Sequence, residues 1–293
     1  MELWIPITIA AAFLQNLRSV GQKHLKSVMG TTGATFVRFG FGLPVAALFV
    51  LGLNRLAGFP FPHPGPVFLG WMTLGAFSQI GATFLLIHLF SFRNFAVGTA
   101  YSRTEPVQAA LFGLVFLGDV VTPGMAAAIL IATSGVVTMA LKPGTSMDVR
   151  ATLLGLAAGA MFALSAVGFR GAILSLGLPS YVMAATFTLV VGLVMQSALL
   201  SLFLWVRNPD VLVSIMRAWR PSLFAGFMGA LASQFWFLAF ALATAASVRT
   251  LALVEVLFAQ AISRFAFKQA TTPREAIGVV LIVVGVLLLL WTG

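Results

Sequence analysis

The stretch TEPVQAALFGLVFLGDVVTP at residues 104–123 has a faint counterpart 150 residues later, VEVLFAQAISRFAFKQATTP at residues 254–273. Glu105 aligns with Glu255, and each glutamate lies in an apolar stretch long enough to cross a bilayer. The same spacing gives the matches Thr122-Pro123 with Thr272-Pro273 and Gly135-Val136 with Gly285-Val286. Repeated units with an ionisable group near the bilayer midplane are typical of secondary transporters. The repeat therefore predicts two related membrane-spanning halves.

The composition is that of an integral membrane protein. Hydrophobic residues make up 60% of the chain and charged residues 8%, whereas charged residues make up about 25% of soluble domains. The 293 residues leave room for about ten membrane helices of ~20 residues. The chain has no cysteine, which excludes disulfides, thiolate metal sites and thiol nucleophiles. We expect an all-α integral membrane fold.

Clusters of Pro, Gly, Asn and charged residues mark the breaks between apolar runs. They predict ten transmembrane helices at residues 3–22, 31–54, 66–90, 94–117, 122–141, 151–171, 179–206, 221–244, 247–267 and 273–292. The polar stretch after the fifth helix divides the chain into two five-helix repeats, residues 1–144 and 145–293. The connection between helices 7 and 8 has the composition of a short interfacial helix.

The basic residues indicate how the chain is oriented. A net charge of +10 is compatible with nucleic-acid binding, but most of the Lys and Arg residues lie in short loops after odd-numbered helices. Since positive loops stay in the cytoplasm, both termini are predicted to be extracytoplasmic and no nucleic-acid partner is expected. Helix 4 then runs outward and helix 9 inward, so the two repeats are inverted relative to each other.

These signatures resemble the drug/metabolite transporter superfamily, EamA family. The first half carries the resemblance at residues 104–107 (TEPV) and 117–119 (LGD), and the second half at residues 254–258 (VEVLF) and 285–286 (GV). Lys268 stands where the family commonly has an acidic residue, so no role is transferred to it. The resemblance implies ten helices in two inverted repeats, a cell (inner or plasma) membrane location, and export of amino acids, other metabolites or drugs.

Glu105 is the leading candidate for a substrate or proton site. A charge at the bilayer centre costs about 2.5–3.5 kcal/mol on insertion scales and usually has a partner or a function. At helical spacing Tyr101, Glu105 and Gln108 share one face. Pro106 lacks an N–H and leaves the carbonyl of Ser102 without its helical partner. The alternative is that Glu105 forms a structural pair with an arginine such as Arg38 or Arg103, and both interpretations stay open for Glu255 too.

Six arginines fall within apolar stretches. Arg38 and Arg103 lie about 12–14 Å in from the predicted cytoplasmic side, at 1.5 Å per residue. Each either neutralises a glutamate or binds a substrate carboxylate in bidentate geometry. The other four lie nearer predicted helix ends, where snorkelling to the headgroups is the favoured explanation; they are Arg18, Arg170, Arg249 and Arg264.

Two glutamines occupy matching places in the two halves, Gln79 in helix 3 and Gln234 in helix 8. We expect both to line a cavity, because polar side chains avoid lipid. The three histidines are too scattered in sequence to form a metal site, and no catalytic residue or cofactor is predicted.

The sequence favours a secondary transporter that exports a small amphipathic metabolite, an amino acid or related compound, by alternating access with protons as a possible coupling ion. Drug or quaternary-cation efflux is the main alternative of the same class, and the deep arginines argue mildly against it. A membrane enzyme or a non-transporting membrane protein is the alternative of another class. The expected partners are the small-molecule substrate and the lipid bilayer, in a monomer or a homodimer.

Overall fold

The computed structural model describes residues 2–89, 100–140, 148–265 and 272–292. All regular secondary structure in these ranges is helical, which confirms the all-α fold for the described part of the chain. The helices are α1 Trp4–Gly40, α2 Leu43–Leu56, α3 Pro66–Leu89, α4 Glu105–Leu117, α5 Pro123–Ala140, α6 Val149–Ser175, α7 Tyr181–Arg207, α8 Pro209–Arg217, α9 Trp219–Leu242, α10 Ala245–Leu251, α11 Val254–Phe265 and α12 Pro273–Thr292.

Seven helical segments in the described ranges are long and apolar enough to cross a membrane. The protein is therefore a multi-pass membrane protein, as its composition predicts. The segments are Thr32–Leu56, Pro66–Leu86, Pro123–Ala140, Val149–Ser175, Tyr181–Arg207, Trp219–Leu242 and Pro273–Thr292. They correspond to predicted helices 2, 3, 5, 6, 7, 8 and 10. The short helix predicted between helices 7 and 8 is α8. Three basic residues of the loops after predicted helices 3, 5 and 9 lie outside the described residues, namely Arg93, Lys142 and Lys268.

The predicted gap between the first two helices, residues 23–30, is wrong. The backbone of α1 stays helical through this polar stretch and is interrupted only at Gly30, whose φ of 70° is a left-handed conformation that glycine adopts without steric cost. Phe41 and Gly42, between α1 and α2, keep right-handed helical dihedral angles and lie within the apolar segment Thr32–Leu56. Polar composition alone therefore does not end a helix.

The predicted helices 4 and 9 are each interrupted within the described residues. A turn at Arg103 and Thr104 precedes α4, and a turn at Ala252 and Leu253 separates α10 from α11. Both turns contain hydrogen bonds of the tighter three-residue type, from Thr104 N to Tyr101 O (3.1 Å) and from Leu253 N to Thr250 O (3.1 Å). The interruptions lie at nearly matching places in the sequence repeat. The first falls one and two residues before Glu105, and the second falls two and three residues before Glu255.

Contacts divide the chain into two compact units, and each unit takes helices from both halves of the sequence. The first unit comprises Met1–Ala76 and Phe169–Leu242; within it α1 packs along α9, and α7 contacts α2 and α9. The second unit comprises Phe77–Gly168 and Ala243–Gly293; within it α5 packs along α12, and α10 packs against α4. The division of the sequence at residue 144 describes the repeat and stays a prediction.

The repeated Thr-Pro pairs begin two equivalent helices. The hydroxyl of Thr122 accepts a hydrogen bond from Met125 N at 3.1 Å, and that of Thr272 accepts one from Glu275 N at 3.3 Å. The prolines that follow occupy the first helical position, where a missing N–H has no consequence. The sequence repeat thus encodes two helix starts with the same N-cap chemistry.

The repeated glycines lie where α5 and α12 cross. A Cβ on Gly135 would come within 2.7 Å of Gly278 O, and a Cβ on Gly285 would come within 2.7 Å of the Ala132 Cβ. Only a residue without a side chain allows this approach of the two backbones, as in other membrane helix pairs with small residues at the interface. Both glycines of the repeat therefore serve the same helix crossing.

Candidate functional site

Glu105 is the first residue of α4 and lies directly after the helix interruption. Its Oε1 accepts a hydrogen bond from Arg249 Nε on α10, a residue 144 positions later in the chain. Both side chains are largely buried, with exposed fractions of 15% for Glu105 and 16% for Arg249. The glutamate is therefore held by an arginine from the other half of the sequence.

Glu255 forms the second ion pair of the site. It lies in the first turn of α11, and its Oε1 pairs with Arg103 Nη1 from the turn before α4. Glu255 is buried, whereas the side chain of Arg103 is 41% exposed. Each interrupted helix thus supplies one glutamate and one arginine. The glutamate of one interrupted helix pairs with the arginine of the other, in both directions.

The two pairs balance four charges at two helix starts. Each carboxylate lies in the first turn of a half-helix, where the partial positive charge of the backbone N–H groups also favours an anion. Since all four side chains belong to the second unit, the site is assembled within one compact body. We name the set Glu105, Arg249, Glu255 and Arg103 the paired-charge site.

Arg249 is the member of the paired-charge site that the sequence interpretation missed. Its predicted helix begins only two residues earlier, at 247, so the sequence favours snorkelling from a helix end. In the structure α10 begins at Ala245 and packs against α4, so Arg249 reaches Glu105. The need for two cations to neutralise two intramembrane glutamates is the signal that points to it. Arg103 takes the neutralising role that was one of its two interpretations.

The interruption before α4 is packed against α6. Gln108 Nε2 donates to the backbone O of Leu156 at 3.2 Å. On the same helix, a Cβ placed on Gly159 would come within 2.9 Å of Ser102 O and 2.8 Å of Gln108 Oε1. Gly159 therefore leaves space for the Ser102 carbonyl. Pro106, four residues later, has no N–H to donate to this carbonyl.

Tyr101 lies just before the same interruption. Its backbone carbonyl accepts hydrogen bonds from Thr104 N at 3.1 Å and from the Thr104 hydroxyl at 2.7 Å, which stabilise the turn. The structure brings Tyr101, Arg103, Glu105 and Gln108 into one segment and adds Glu255 to it. Gln79 belongs to the same unit, where its backbone O accepts from the Thr83 hydroxyl at 2.8 Å.

Two of the predicted site residues belong to the first unit instead. Gln234 is buried, and its Nε2 donates to the Thr186 hydroxyl at 2.7 Å, joining α9 to α7. Arg38 lies near the end of α1, with its Cζ 5.1 Å from the centroid of the Phe39 ring. Neither is part of the paired-charge site.

The described side chains contain no group of three or more His, Asp or Glu residues that is arranged to hold a metal ion. The chemistry of the paired-charge site is electrostatic, because guanidinium and carboxylate groups bind opposite charges through directed hydrogen bonds.

No protein-family model matches this chain, and no curated protein matches it either. Solved structures do match, in 29 chains. A crystal structure described only as that of a protein has a TM-score of 0.76 and 18% sequence identity, and the alignment covers 98% of this chain and 95% of the other. The two proteins therefore share a fold over nearly the whole chain, and an identity of 18% supports a similarity of fold alone.

Proposed function

We propose that this protein is a secondary transporter of the drug/metabolite transporter superfamily, EamA family, and that it moves a small amphipathic metabolite by alternating access. The observation that carries the proposal is the pair of helix interruptions at nearly matching repeat positions, each followed by a helix with a glutamate in its first turn. Transporters place substrate and ion sites at such discontinuous helices near the bilayer midplane.

The charge pattern favours an amino acid or a related compound as substrate. A zwitterion carries one carboxylate for an arginine and one ammonium for a glutamate. It can therefore separate a Glu–Arg pair without leaving either buried charge unpaired, which would be costly. An organic cation would compensate only Glu105 or Glu255 and would leave an arginine unpaired, so quaternary-cation efflux is the weaker alternative.

The two inverted five-helix repeats are part of the same proposal. The repeat spacing of 150 residues and the equivalent starts of α5 and α12 support them. An inverted pair allows one central site to face either side of the membrane by rocking. We further propose that the protein resides in the cell membrane and that Glu105 carries the coupling proton.

The transport proposal is tested by the medium of cells that overproduce the protein. We expect untargeted mass spectrometry to find a metabolite that is enriched outside cells with the wild type. With Glu105→Gln at matched membrane abundance, its external concentration should be at least about tenfold lower. A tenfold lower transport rate corresponds to about 1.4 kcal/mol in activation free energy. Asp210→Asn is the matched control, since Asp210 is an exposed acidic residue on α8. Equal enrichment with Glu105→Gln across external pH would remove Glu105 and its proton from the mechanism.

The orientation is tested by single-cysteine labelling, which is direct because the chain has no cysteine. A cysteine at Gly293 is expected to react with a membrane-impermeant maleimide in intact cells, as an extracytoplasmic terminus requires. A cysteine at Asn208, in a loop predicted to be cytoplasmic, serves as the control and should react only after the membrane is opened. The reverse pattern would invert the proposed topology.

A further inference from the structure

Arg18 lies far from both ends of the first helical segment. It is 14 residues after Trp4 and 12 residues before the interruption at Gly30, which places it about 21 Å and about 18 Å along the helix from them at 1.5 Å per residue. The hydrocarbon core of a bilayer is about 30 Å thick. A location near a helix end, which was the basis for expecting Arg18 to snorkel, is therefore wrong.

Two nitrogens of the Arg18 guanidinium are buried without an acceptor among the described residues. The residue is 7% exposed, and its Nε and Nη1 make no hydrogen bond to any group that the structure describes. Arg103, Arg170 and Arg249 differ, because each of them meets a carboxylate or a backbone carbonyl. An uncompensated buried cation is strongly unfavourable unless something else supplies the negative charge.

The first unit offers Arg18 no carboxylate. It contains two acidic residues, Glu2 and Asp210. Glu2 is exposed at the start of α1, where it accepts a hydrogen bond from Trp4 Nε1, and Asp210 is exposed on α8. The five other acidic residues of the chain belong to the second unit.

A second arginine and a glycine border the same place. A Cβ on Gly229 of α9 would lie 3.5 Å from Arg18 Cδ and 3.6 Å from Arg38 Cγ. Both arginine side chains thus pass beside a position of α9 that carries no side chain. Guanidinium groups bind oxyanions in bidentate geometry, and the missing side chain at Gly229 leaves space beside both arginines.

We propose that Arg18, with Arg38 beside it, is the receptor for an oxyanion, and that this oxyanion is a carboxylate or phosphate group that the transported molecule carries besides the carboxylate assigned to the paired-charge site. The inference rests on the proposed transport function and narrows its substrate to a molecule with such a further anionic group. The buried charge is tolerated because the substrate neutralises it. Arg18 belongs to the first unit, and its Nε and Nη1 have no acceptor among the residues that the structure describes, so the substrate supplies the missing negative charge.

The test is the thermal unfolding midpoint of the purified full-length protein in zwitterionic detergent. Sodium acetate and sodium phosphate are titrated against sodium chloride at constant ionic strength. A ligand that binds only the folded state raises the midpoint in proportion to the logarithm of its concentration above the Kd. We expect the midpoint to rise with the wild type and with Arg207→Gln, a control at an exposed arginine. We expect no rise with Arg18→Gln and a smaller rise with Arg18→Lys.

The variants separate a binding role from a structural one. Because Nε and Nη1 of Arg18 have no acceptor in the described part of the chain, Arg18→Gln is expected to match or exceed the wild-type midpoint in the absence of anion. A midpoint well below the wild type, with the anion response of Arg18→Lys equal to that of the wild type, would overturn the proposal. So would a wild type that does not respond to either anion.

The source of the oxyanion is distinguished in nanodiscs. If phosphatidylglycerol raises the midpoint over phosphatidylcholine in an Arg18-dependent way while acetate and phosphate have no effect, Arg18 binds a lipid headgroup and the substrate assignment is wrong. None of these measurements requires transport. Loss of anion binding with intact export would therefore overturn only this inference, and intact binding without export would overturn only the proposed function.

Discussion

Glutamine in place of Glu105 is expected to lower the free energy of unfolding by about 3–5 kcal/mol, the cost of removing one partner from a buried ion pair. The reason is Arg249, which is only 16% exposed and would keep its charge without a carboxylate. Reversible unfolding in mixed micelles measures this change. The same loss is expected for Arg249→Met, because it leaves Glu105 unpaired at the start of α4.

The double variant Glu105→Leu with Arg249→Met is the decisive control. Replacing both members of a buried pair by apolar residues is often neutral or stabilising, so the double variant should be more stable than either single variant. The coupling energy of the double-mutant cycle isolates the interaction between the two residues. Additive losses in the double variant would show that Glu105 and Arg249 do not interact in the membrane.

Residues that repeat in the sequence have equivalent roles in the structure, because local chemistry determines those roles. Thr122 and Thr272 cap equivalent helices, and Gly135 and Gly285 both lie at the crossing of α5 and α12. An N-cap depends on the next three residues, and a helix crossing depends on the absence of a side chain. Signals of this kind can be recognised from a few neighbouring residues in the sequence.

The pairing of charges could not be predicted in the same way. Arg249 and Glu105 are 144 residues apart, and no helical spacing rule relates them. The turn at Ala252 and Leu253 also contains no glycine or proline that would predict it from the sequence, whereas the turn at Arg103 and Thr104 is followed closely by Pro106. Packing of α10 against α4 decides both features, and packing of this kind is a property of the whole unit.

Arg18 shows how an error in one helix boundary affects a site. Polar residues near position 22 indicated a helix end, which placed Arg18 close to the membrane surface and made snorkelling the natural interpretation. The backbone stays helical to Gly30, and the same residue becomes a buried cation deep in the first segment. Backbone conformation, which charge patterns do not report directly, decided its role.

Leucine at Gly135 is expected to destabilise the protein strongly, because this glycine lies at the crossing of α5 and α12. A Cβ there would lie 2.7 Å from Gly278 O and 2.9 Å from Ile282 N, and both are backbone atoms of α12 that cannot move aside. Overpacking costs about 1–3 kcal/mol where side chains can adjust, so we expect a loss of about 3 kcal/mol or more here. The measurement is unfolding in mixed micelles, with recovery of monodisperse protein as a second readout.

Gly70→Leu is the matched control. Gly70 is a helical glycine of α3 at which an added Cβ would meet no heavy atom within 4 Å. The substitution should lower the free energy of unfolding by no more than a few tenths of a kcal/mol. Gly285→Leu should resemble Gly135→Leu, because its Cβ would meet Ala132 on the facing helix. Equal losses at these two positions would mean that each half of the sequence supplies the same glycine to one shared crossing. A mild effect at Gly135 would contradict the close approach of α5 and α12, and with it the physical reason for the repeated glycine.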